Sequence, residues 1–417
     1  MHPLTAAFLA ALAIDAAVKL WLASRQIRHV QANRGSVPAA FADAVSLEAH
    51  QKAADYTIAK TRLGMLNTFI GAALLLAFTL AGGLQLLADL WTSVFTPGGY
   101  AYGIALVASV AVIGALVELP IALYRTFAVE ARFGFNRMTL ALFFSDLGKQ
   151  ALLGVALGLP LLFIVLWLMA KMGTLWWLYV WLAWAAFNLL MLAIFPTWIA
   201  PLFNRFTPLE DASLRDRIEA LLARCGFRAS GLFVMDGSRR SNHGNAYFTG
   251  FGTSKRIVFF DTLLARLAPT EVEAVLAHEL GHFRRRHVWK RVAWTFVASL
   301  AFLALLGYLI NEPWFYSALG VQSRSTAMAL VLFFLVAPAF TFLFSPVASV
   351  YSRKHEYEAD AYAAEHASAA DLVRALVKLY KDNAATLTPD PVHSAFYDSH
   401  PPAGVRVARL QALAASA

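Results

Sequence analysis

The chain has 417 residues, of which 59% are apolar and only 15% are charged, whereas a soluble domain usually carries about 25% charged residues. This composition excludes a disordered chain, a collagen, a coiled coil and, with a single cysteine at position 225, a disulfide scaffold. The net charge of +9 would suggest nucleic acid as the partner of a soluble protein, but in a membrane protein it is typical of basic cytoplasmic loops. We therefore predict an integral membrane protein that contacts lipid and binds no nucleic acid.

Seven apolar runs are each long enough for a helix that crosses a bilayer, which needs about 20 residues. They lie near residues 3–23, 65–90, 102–123, 150–170, 175–198, 292–310 and 326–350. The first run contains Asp15 and Lys19 and follows no basic stretch, so we interpret it as a retained helix and not as a signal peptide. These two residues and Glu118 in the third run are predicted to face either a wet interior or a partner inside the bundle.

Basic residues alternate along the loops. The loops after helices one, three and five are rich in Lys and Arg, whereas those after helices two, four and six hold at most one basic residue each. Because basic loops stay in the cytoplasm, the N-terminus is predicted outside and the C-terminus inside. The chain then divides into helices one to five with their loops (1–199), a cytoplasmic domain (200–291), helices six and seven (292–350) and a C-terminal cytoplasmic part (351–417).

The cytoplasmic domain combines helix and strand patterns, which predict an α+β fold. An amphipathic helix is predicted at 214–224, and strands at 231–235, 245–251 and 256–260, the last two joined by a short hairpin at 252–254. Pro269, followed by an acidic first turn, predicts the start of a further helix.

That last helix carries the sequence His-Glu-Leu-Gly-His at 278–282. Residues four apart share a helix face, so His278 and His282 can both direct a ring nitrogen at one metal ion. Zinc lowers the pKa of a bound water toward about 7, and Glu279 lies where it can accept the proton of that water. The motif therefore predicts a zinc-dependent hydrolase in which Glu279 is the general base.

A catalytic zinc usually has three protein ligands, so a third must come from elsewhere in the chain. Metzincins use a His six residues after the second ligand, but Val288 occupies that position here, and His287 is out of register and is predicted to be a surface group. The segment after helix seven offers Glu356 and Asp360, which are four apart and share one helix face. Glu356 is predicted to bind the zinc, and Asp360 to hydrogen-bond the outer nitrogen of a ligating His.

Two neighbours of this pair have other predicted roles. His355 could compete with Glu356 as the third ligand, but it has no acidic residue in register to orient it. Glu358 falls on another face of the helix and is predicted to be solvated.

The chain resembles the zinc-dependent, integral-membrane CaaX prenyl proteases, the type I enzymes with a Glu as third zinc ligand, and more distantly the bacterial heat-shock membrane proteases. The resemblance covers almost the whole chain in order, including the seven helices. The motifs that carry it are Phe-Gly-Phe-Asn at 133–136, Ile-Ala-Pro-Leu-Phe-Asn at 199–204, Ser-Asn-His-Gly-Asn-Ala-Tyr-Phe at 241–248, Lys-Arg-Ile-Val-Phe-Phe-Asp-Thr-Leu-Leu at 255–264, Ala-His-Glu-Leu-Gly-His-Phe at 277–283, Ser-Arg-Lys-His-Glu-Tyr-Glu-Ala-Asp at 352–360 and Ser-His-Pro-Pro at 399–402.

The resemblance implies a ring of helices around a water-filled chamber inside the membrane, with the zinc site near the cytoplasmic end of the chamber. It also implies that Asn245, Ala246 and Tyr247 lie on an edge strand that binds the substrate backbone by strand addition. His400 matches a family histidine that stabilises the oxyanion, and Arg406 is assigned to the same cluster as a substrate-binding residue.

We therefore predict a membrane zinc metalloendopeptidase, with one zinc per chain, that cleaves near the C-terminus of prenylated substrates or degrades membrane and misfolded proteins. Two alternatives stay open. A site-two-type intramembrane protease would carry its motif within an apolar span, but Arg284, Arg285 and Arg286 follow the motif here. A transporter or lipid-binding scaffold would hold a structural zinc, which usually has a fourth protein ligand, and neither a Cys nor a further His in register supplies one.

A bacterial inner membrane is favoured over the ER membrane as the location. The chain is rich in Ala, has short outer loops and carries no ER-retrieval tail. The active site is expected on the cytoplasmic side, together with the basic loops.

Overall fold

A computed structural model describes residues 1–249 and 256–416 of the protein. The predicted hairpin turn at 252–254 and the predicted end of the strand before it, at 250–251, lie outside the described residues. The α-helices are α1 (Pro3–Ala32), α2 (Leu47–Phe78), α3 (Gly83–Thr92), α4 (Tyr100–Tyr124), α5 (Leu140–Leu153), α6 (Leu159–Lys171), α7 (Trp176–Ile194), α8 (Ala200–Phe203), α9 (Ala212–Arg224), α10 (Asp261–Leu264), α11 (Pro269–Arg284), α12 (His287–Leu309), α13 (Pro313–Ser317), α14 (Thr326–Thr341), α15 (Ser345–His366), α16 (Ala369–Asp382), α17 (Pro391–Tyr397) and α18 (Ala403–Ser416).

Within the described part of the chain, seven helical stretches are long and apolar enough to cross a membrane, as predicted. They are Pro3–Ala32, Leu47–Phe78, Tyr100–Glu130, Leu140–Lys171, Gly173–Phe203, His287–Leu309 and Thr326–His366. In six of them, the most apolar stretch of 18 residues is only 11–22% buried, so most of its surface faces lipid or interior space. The water-filled chamber that the resemblance implies stays a prediction.

The second and seventh spans differ from their predicted bounds. The prediction places the second helix at 65–90, but α2 ends at Phe78 and α3 begins at Gly83. Gly82, with a φ of +83°, adopts the left-handed backbone that turns the chain between them. The seventh helix is predicted to end near 350, yet its helical stretch continues to His366. The segment that carries Glu356 is therefore a continuation of a membrane helix.

The three charged residues singled out from the sequence, Asp15, Lys19 and Glu118, have partners of opposite charge. Nζ of Lys19 lies 2.8 Å from Oδ2 of Asp15, one helical turn away on α1. Nη2 of Arg125 lies 3.7 Å from Oε1 of Glu118, and both side chains are about half exposed. These contacts agree with the prediction of partners inside the bundle, which was one of the two alternatives for these residues.

The described residues of the predicted domain at 200–291 contain one sheet. Its strands are β1 (Phe206–Pro208), β2 (Gly231–Met235), β3 (Ala246–Thr249) and β4 (Arg256–Phe260), in the order β1-β2-β4-β3. β2 and β4 match their predicted bounds, whereas β1 is too short to show an alternating pattern and was not predicted. β4 runs parallel to β2 and antiparallel to β3. The described part of β3 therefore pairs on one side only and leaves its other edge open.

Two large hydrophobic cores and two smaller ones lie among the described residues. The first lies among α1, α4, α13 and α14 and includes the fully buried Phe8 and Leu106. The second lies among α9, β4, α11 and α16 and includes the fully buried Ile218 and Phe259. Full burial of one such side chain stabilises the fold by about 1.5–3 kcal/mol. Because Ala363 of α15 belongs to the second core, α15 joins the last membrane span to the part of the protein that contains the sheet.

Candidate metal centre

The helices α11 and α15 pack closely because their facing side chains are small. Ala277 of α11 and Ala359 of α15 are fully buried. Gly281 lies so near α15 that a Cβ at this position would be 2.9 Å from the Cα of Ala359. The distance between two helices depends on the side chains at their contact, so this contact brings α11 directly against the part of α15 that carries Glu356.

The packing brings the three predicted metal ligands together. Nε2 of His278 lies 3.2 Å from Nε2 of His282 and 3.5 Å from Oε2 of Glu356. Nε2 of His282 lies 3.2 Å from Oε1 of Glu356. One ligand atom from each residue can be chosen so that all of them lie within 4.8 Å of one another. Such separations suit ligands that each lie about 2.0–2.2 Å from a single zinc ion.

The chemistry of this group fits a metal cation. Oε2 of Glu356 is buried and has no hydrogen-bond partner among the described residues, although buried carboxylate oxygens normally have one. Burial and Arg406 would lower the pKa of the His278 imidazole, but the carboxylates of Asp360 and Glu356 outweigh them and raise it to about 9. Carboxylates that attract a proton to His278 so strongly also attract a divalent cation. Two imidazoles and a carboxylate form a ligand set that catalytic zinc uses.

Asp360 and Arg406 both contact the ring of His278, the first predicted ligand. Oδ1 of Asp360 lies 2.8 Å from Nδ1 of His278, so that Nδ1 carries the proton and Nε2 is left for the metal. Arg406 donates to both oxygens of Asp360, from Nε at 2.8 Å and from Nη2 at 2.7 Å. Arg406 is predicted to bind substrate, but its side chain is only 5% exposed and Asp360 occupies its guanidinium. The structure therefore corrects that prediction, because Arg406 contacts the ligand shell and not an open surface.

A second pair, which no sequence pattern indicated, supports the other histidine ligand. Nδ1 of His282 lies 3.0 Å from Nδ1 of His287, and Nε2 of His287 lies 2.9 Å from Oε2 of Glu358. Arg286, with a φ of +57°, turns the chain sharply after α11, so that His287 lies beside His282. The predictions of a surface position for His287 and a solvated position for Glu358 are wrong, since His287 is 3% exposed and pairs with Glu358.

His355 lies outside the ligand group. Its ring stacks on that of His287 with 3.9 Å between the ring centroids, and its other aromatic neighbour is Tyr351 at 4.3 Å. The group of described residues that can hold a metal contains Glu356 and not His355. His355 therefore packs against the pair that supports the second ligand.

The two predicted catalytic side chains border the ligand group. Glu279 follows the first ligand on α11 and is half-buried. Nε2 of His400, in the loop between α17 and α18, lies 3.5 Å from Oε1 of Glu356, while its Nδ1 lies 3.0 Å from Oγ of Ser399. Partial loss of water around the ring lowers the pKa of His400.

The predicted substrate-binding residues lie at the start of the open edge strand. Asn245 is exposed and precedes β3, where its Oδ1 accepts a hydrogen bond from N of Ala246 at 2.8 Å. Ala246 pairs with Phe259 of β4, and Tyr247 is partly buried. Backbone groups on the open side of β3 are free to pair with an extended peptide.

Residues from two distant parts of the chain, around 130–135 and at 383, anchor the segment before β3. The ring of His243 stacks on that of Phe135, with 4.4 Å between the ring centroids, and its Nε2 lies 3.6 Å from Oε2 of Glu130. Oδ1 of Asn383 accepts a hydrogen bond from N of Gly244 at 3.2 Å. The loop after the third span, which contains Phe135, therefore helps to position the edge strand.

Two family models match the chain. The model for the N-terminal domain of CAAX prenyl proteases, with five membrane helices, matches residues 26–205. The model for peptidase family M48 matches residues 208–414. The second match contains all the candidate ligands and both predicted catalytic side chains.

Curated relatives and a solved structure agree with these matches. A CAAX prenyl protease 1 homolog from Arabidopsis thaliana is 39% identical over 303 residues, which are 72% of this chain and 70% of the relative. CAAX prenyl protease 1 from Saccharomyces cerevisiae is 38% identical over 316 residues, which are 71% and 69% of the two chains. The crystal structure of S. mikatae Ste24p is similar with a TM-score of 0.89 and 30% identity, over 98% of this chain and 99% of that one.

Proposed function

The chain belongs to the CAAX prenyl proteases of peptidase family M48, and from this membership we propose that it hydrolyses peptide bonds near the C-terminus of prenylated proteins, with one zinc ion per chain. The family matches and the seven spans establish that the protein is a multi-pass membrane metalloprotease. The observation that carries the finer proposal is the convergence of His278, His282 and Glu356. No fourth His, Cys, Asp or Glu of the described chain belongs to that group, which favours a catalytic over a structural zinc.

The proposed mechanism assigns one task to each side chain. Zinc, when bound, polarises the scissile carbonyl and lowers the pKa of a water ligand. Glu279 accepts the proton of the attacking water and passes it to the departing amine. His400 is assigned the tautomer in which Nδ1, 3.0 Å from Oγ of Ser399, accepts and Nε2 carries the proton, so that Nε2 donates to the oxyanion that develops on the carbonyl. Asp360 keeps His278 in the tautomer that leaves Nε2 unprotonated.

The substrate is proposed to lie along β3 as an added antiparallel strand. Asn245, Ala246 and Tyr247 then contact its main chain, which suits an enzyme that accepts varied side chains. The open edge of the described part of β3 supports this assignment. Arg406 is proposed as a positioning residue for His278 and no longer as a contact of the substrate.

The orientation is proposed from the basic loops, with the N-terminus outside and the site on the cytoplasmic side. The four parts predicted for the chain (1–199, 200–291, 292–350 and 351–417) are retained as a proposal, with α15 running across the boundary at 350. The preference for a bacterial inner membrane stays a prediction. The relatives reported above are eukaryotic, so the substrate and the membrane are best tested together.

The decisive experiment compares the purified wild type with Glu279→Gln and Glu356→Ala. Bound zinc and cleavage of a farnesylated C-terminal peptide are measured for each protein, with the same peptide lacking the lipid as reference. We expect Glu279→Gln to keep its zinc and to lose cleavage by a factor of at least about 100. We expect Glu356→Ala to lose most of its zinc. Cleavage that survives Glu279→Gln would refute the proposed general base, and zinc bound without any cleavage by the wild type would favour a scaffold.

A further inference from the structure

A cavity of about 570 Å³ adjoins the candidate metal centre. Residues from α2, from the segment before β3 and from the loops on either side of α17 line it. His400 is one of these residues, and its Nε2 lies 3.5 Å from Oε1 of Glu356, so the cavity borders the ligand group through this side chain. The volume is in the range of about 300–1,000 Å³ that is typical of ligand sites.

The cavity contains a lysine that forms no ion pair within 4.0 Å among the described residues, with Glu130 as its acidic neighbour at longer range. Lys60 is the only Lys or Arg among its lining residues, and no carboxylate of the described chain lies within 4.0 Å of its Nζ. Nζ instead lies 4.8 Å from the ring centroid of Tyr56. Nδ1 of His393, also in the lining, is buried without a hydrogen-bond partner among the described residues. Asp398 is the one carboxylate of the lining, and Glu130, which accepts a hydrogen bond from Tyr56 and faces His243, lies next to the lining. Because Nζ of Lys60 forms no ion pair with either carboxylate, it can receive an anion from a ligand.

The position of β3 indicates which part of a substrate reaches this cavity. An antiparallel peptide on the open edge of β3 directs its C-terminal side past Asn245 toward His243, which lines the cavity. An extended chain advances about 3.3 Å per residue, so a cleavage site near the C-terminus leaves the terminal carboxylate only a few residues away. We infer that the cavity binds the free α-carboxylate of the substrate, with Lys60 as the cation that receives it. This inference rests on the proposed function, since it concerns the same substrate.

The test uses matched peptides and a matched pair of variants. One C-terminal peptide is prepared as the free acid, as the C-terminal amide, and with three extra residues that move the carboxylate away. Lys60→Met removes the charge and keeps the length of the side chain, and Lys52→Met is the control on the same helix, because Lys52 is exposed and does not line the cavity. Zinc content and thermal unfolding show whether both variants are folded.

We expect the wild type and Lys52→Met to cleave the free acid with a kcat/KM at least about ten-fold higher than the amide or the extended peptide. In Lys60→Met that preference should disappear because cleavage of the acid falls, while cleavage of the amide is unchanged. A wild type that cleaves acid and amide equally well would overturn the inference and leave the proposed function intact. An equal loss for both peptides in Lys60→Met would also overturn it, since that pattern indicates a structural role for the lysine.

Measurements of peptide binding test this inference separately from catalysis. Affinities of the acid and amide peptides are measured on Glu279→Gln and on the double variant with Lys60→Met, so the result does not require turnover. If the acid peptide binds more tightly than the amide, and this difference requires Lys60, the result supports a carboxylate site in the cavity. This holds even if the wild type does not cleave the peptide. Equal binding of acid and amide contradicts it.

Discussion

At the scale of single residues, the two histidine ligands are held by different partners. Asp360, itself fixed by Arg406, receives the outer N–H of His278. The outer nitrogen of His282 instead lies next to Nδ1 of His287, whose other ring nitrogen faces Glu358. Such outer partners fix the tautomer and the ring orientation of a metal ligand, so both pairs belong to the function of the site.

We predict that His287→Phe weakens zinc binding by about 10–100-fold, because it keeps the ring but removes the nitrogen that orients His282. His355→Phe is the matched control, since His355 stacks on the same ring and is not within hydrogen-bond distance of His282 in the described contacts. Zinc affinity is measured on metal-free protein by competition with a chelator, and Co²⁺ absorption reports ligand geometry. Equal affinities of both variants and the wild type would argue against a positioning role for His287.

At the scale of elements, the site depends on how closely two helices approach. A Cβ on Gly281 would lie 2.9 Å from Cα of Ala359 and 3.0 Å from Cβ of Tyr362, both on α15. Glycine therefore occupies the middle of the ligand motif for a packing reason, although glycine in a helix interior normally costs about 0.5–1 kcal/mol relative to Ala. The small side chain is what lets Glu356 reach the histidines.

We predict that Gly281→Ala destabilises the protein by about 1–3 kcal/mol and lowers its zinc content, because the added methyl group pushes α11 away from α15. Gly148→Ala on α5 is the control, since nothing lies within 4 Å of a Cβ at that position. That control should be neutral or slightly stabilising. Thermal unfolding and zinc content are measured for both. A Gly281→Ala protein with normal stability and normal zinc would show that the two helices can separate without harm to the site.

At the scale of the whole molecule, an ion pair joins the first membrane helix to the part of the chain that carries His400. Asp390 is 2% exposed and receives two hydrogen bonds from Arg25 of α1, at 3.2 Å and 2.9 Å. It also caps α17 by accepting from N of Val392 and N of His393. Burial would raise the pKa of Asp390, but Arg25 and the N–H of His393 outweigh burial and lower it below its ordinary value.

We predict that Asp390→Asn lowers the free energy of unfolding by about 1.5–3 kcal/mol at pH 7, the usual contribution of a hydrogen-bonded charge. A carboxylate whose pKa is lower in the folded than in the unfolded state stabilises the fold fully above its unfolded pKa, near about 4. The stabilisation is lost as the pH falls through the lower folded pKa. Thermal unfolding of the wild type and variant between pH 7 and pH 3 should therefore show a difference that shrinks below about pH 4. A difference that is constant with pH would mean that the charge of Asp390 contributes nothing.

Several features were predictable because they depend on residues close together in the sequence. The seven spans follow from apolar length, β2 and β4 follow from short apolar runs, and α11 follows from Pro269 and an acidic first turn. The spacing of four residues likewise determined that His278 and His282 share one face, and that Glu356 and Asp360 share another.

Other features were decided only by the tertiary structure, because they join residues far apart in the chain. The left-handed turn at Arg286 places His287 against His282 and Glu358, although helical spacing alone put it on the surface. The burial of Arg406 behind the site depends on the packing of α18, and the cavity around Lys60 depends on α2 meeting the C-terminal loops. Periodicity reports which face of an element is apolar, whereas the partner of that face is set by how the elements pack. The sequence by itself therefore determined the spans and indicated the candidate ligands, and packing decided which side chains contact those candidates and which cavity adjoins them.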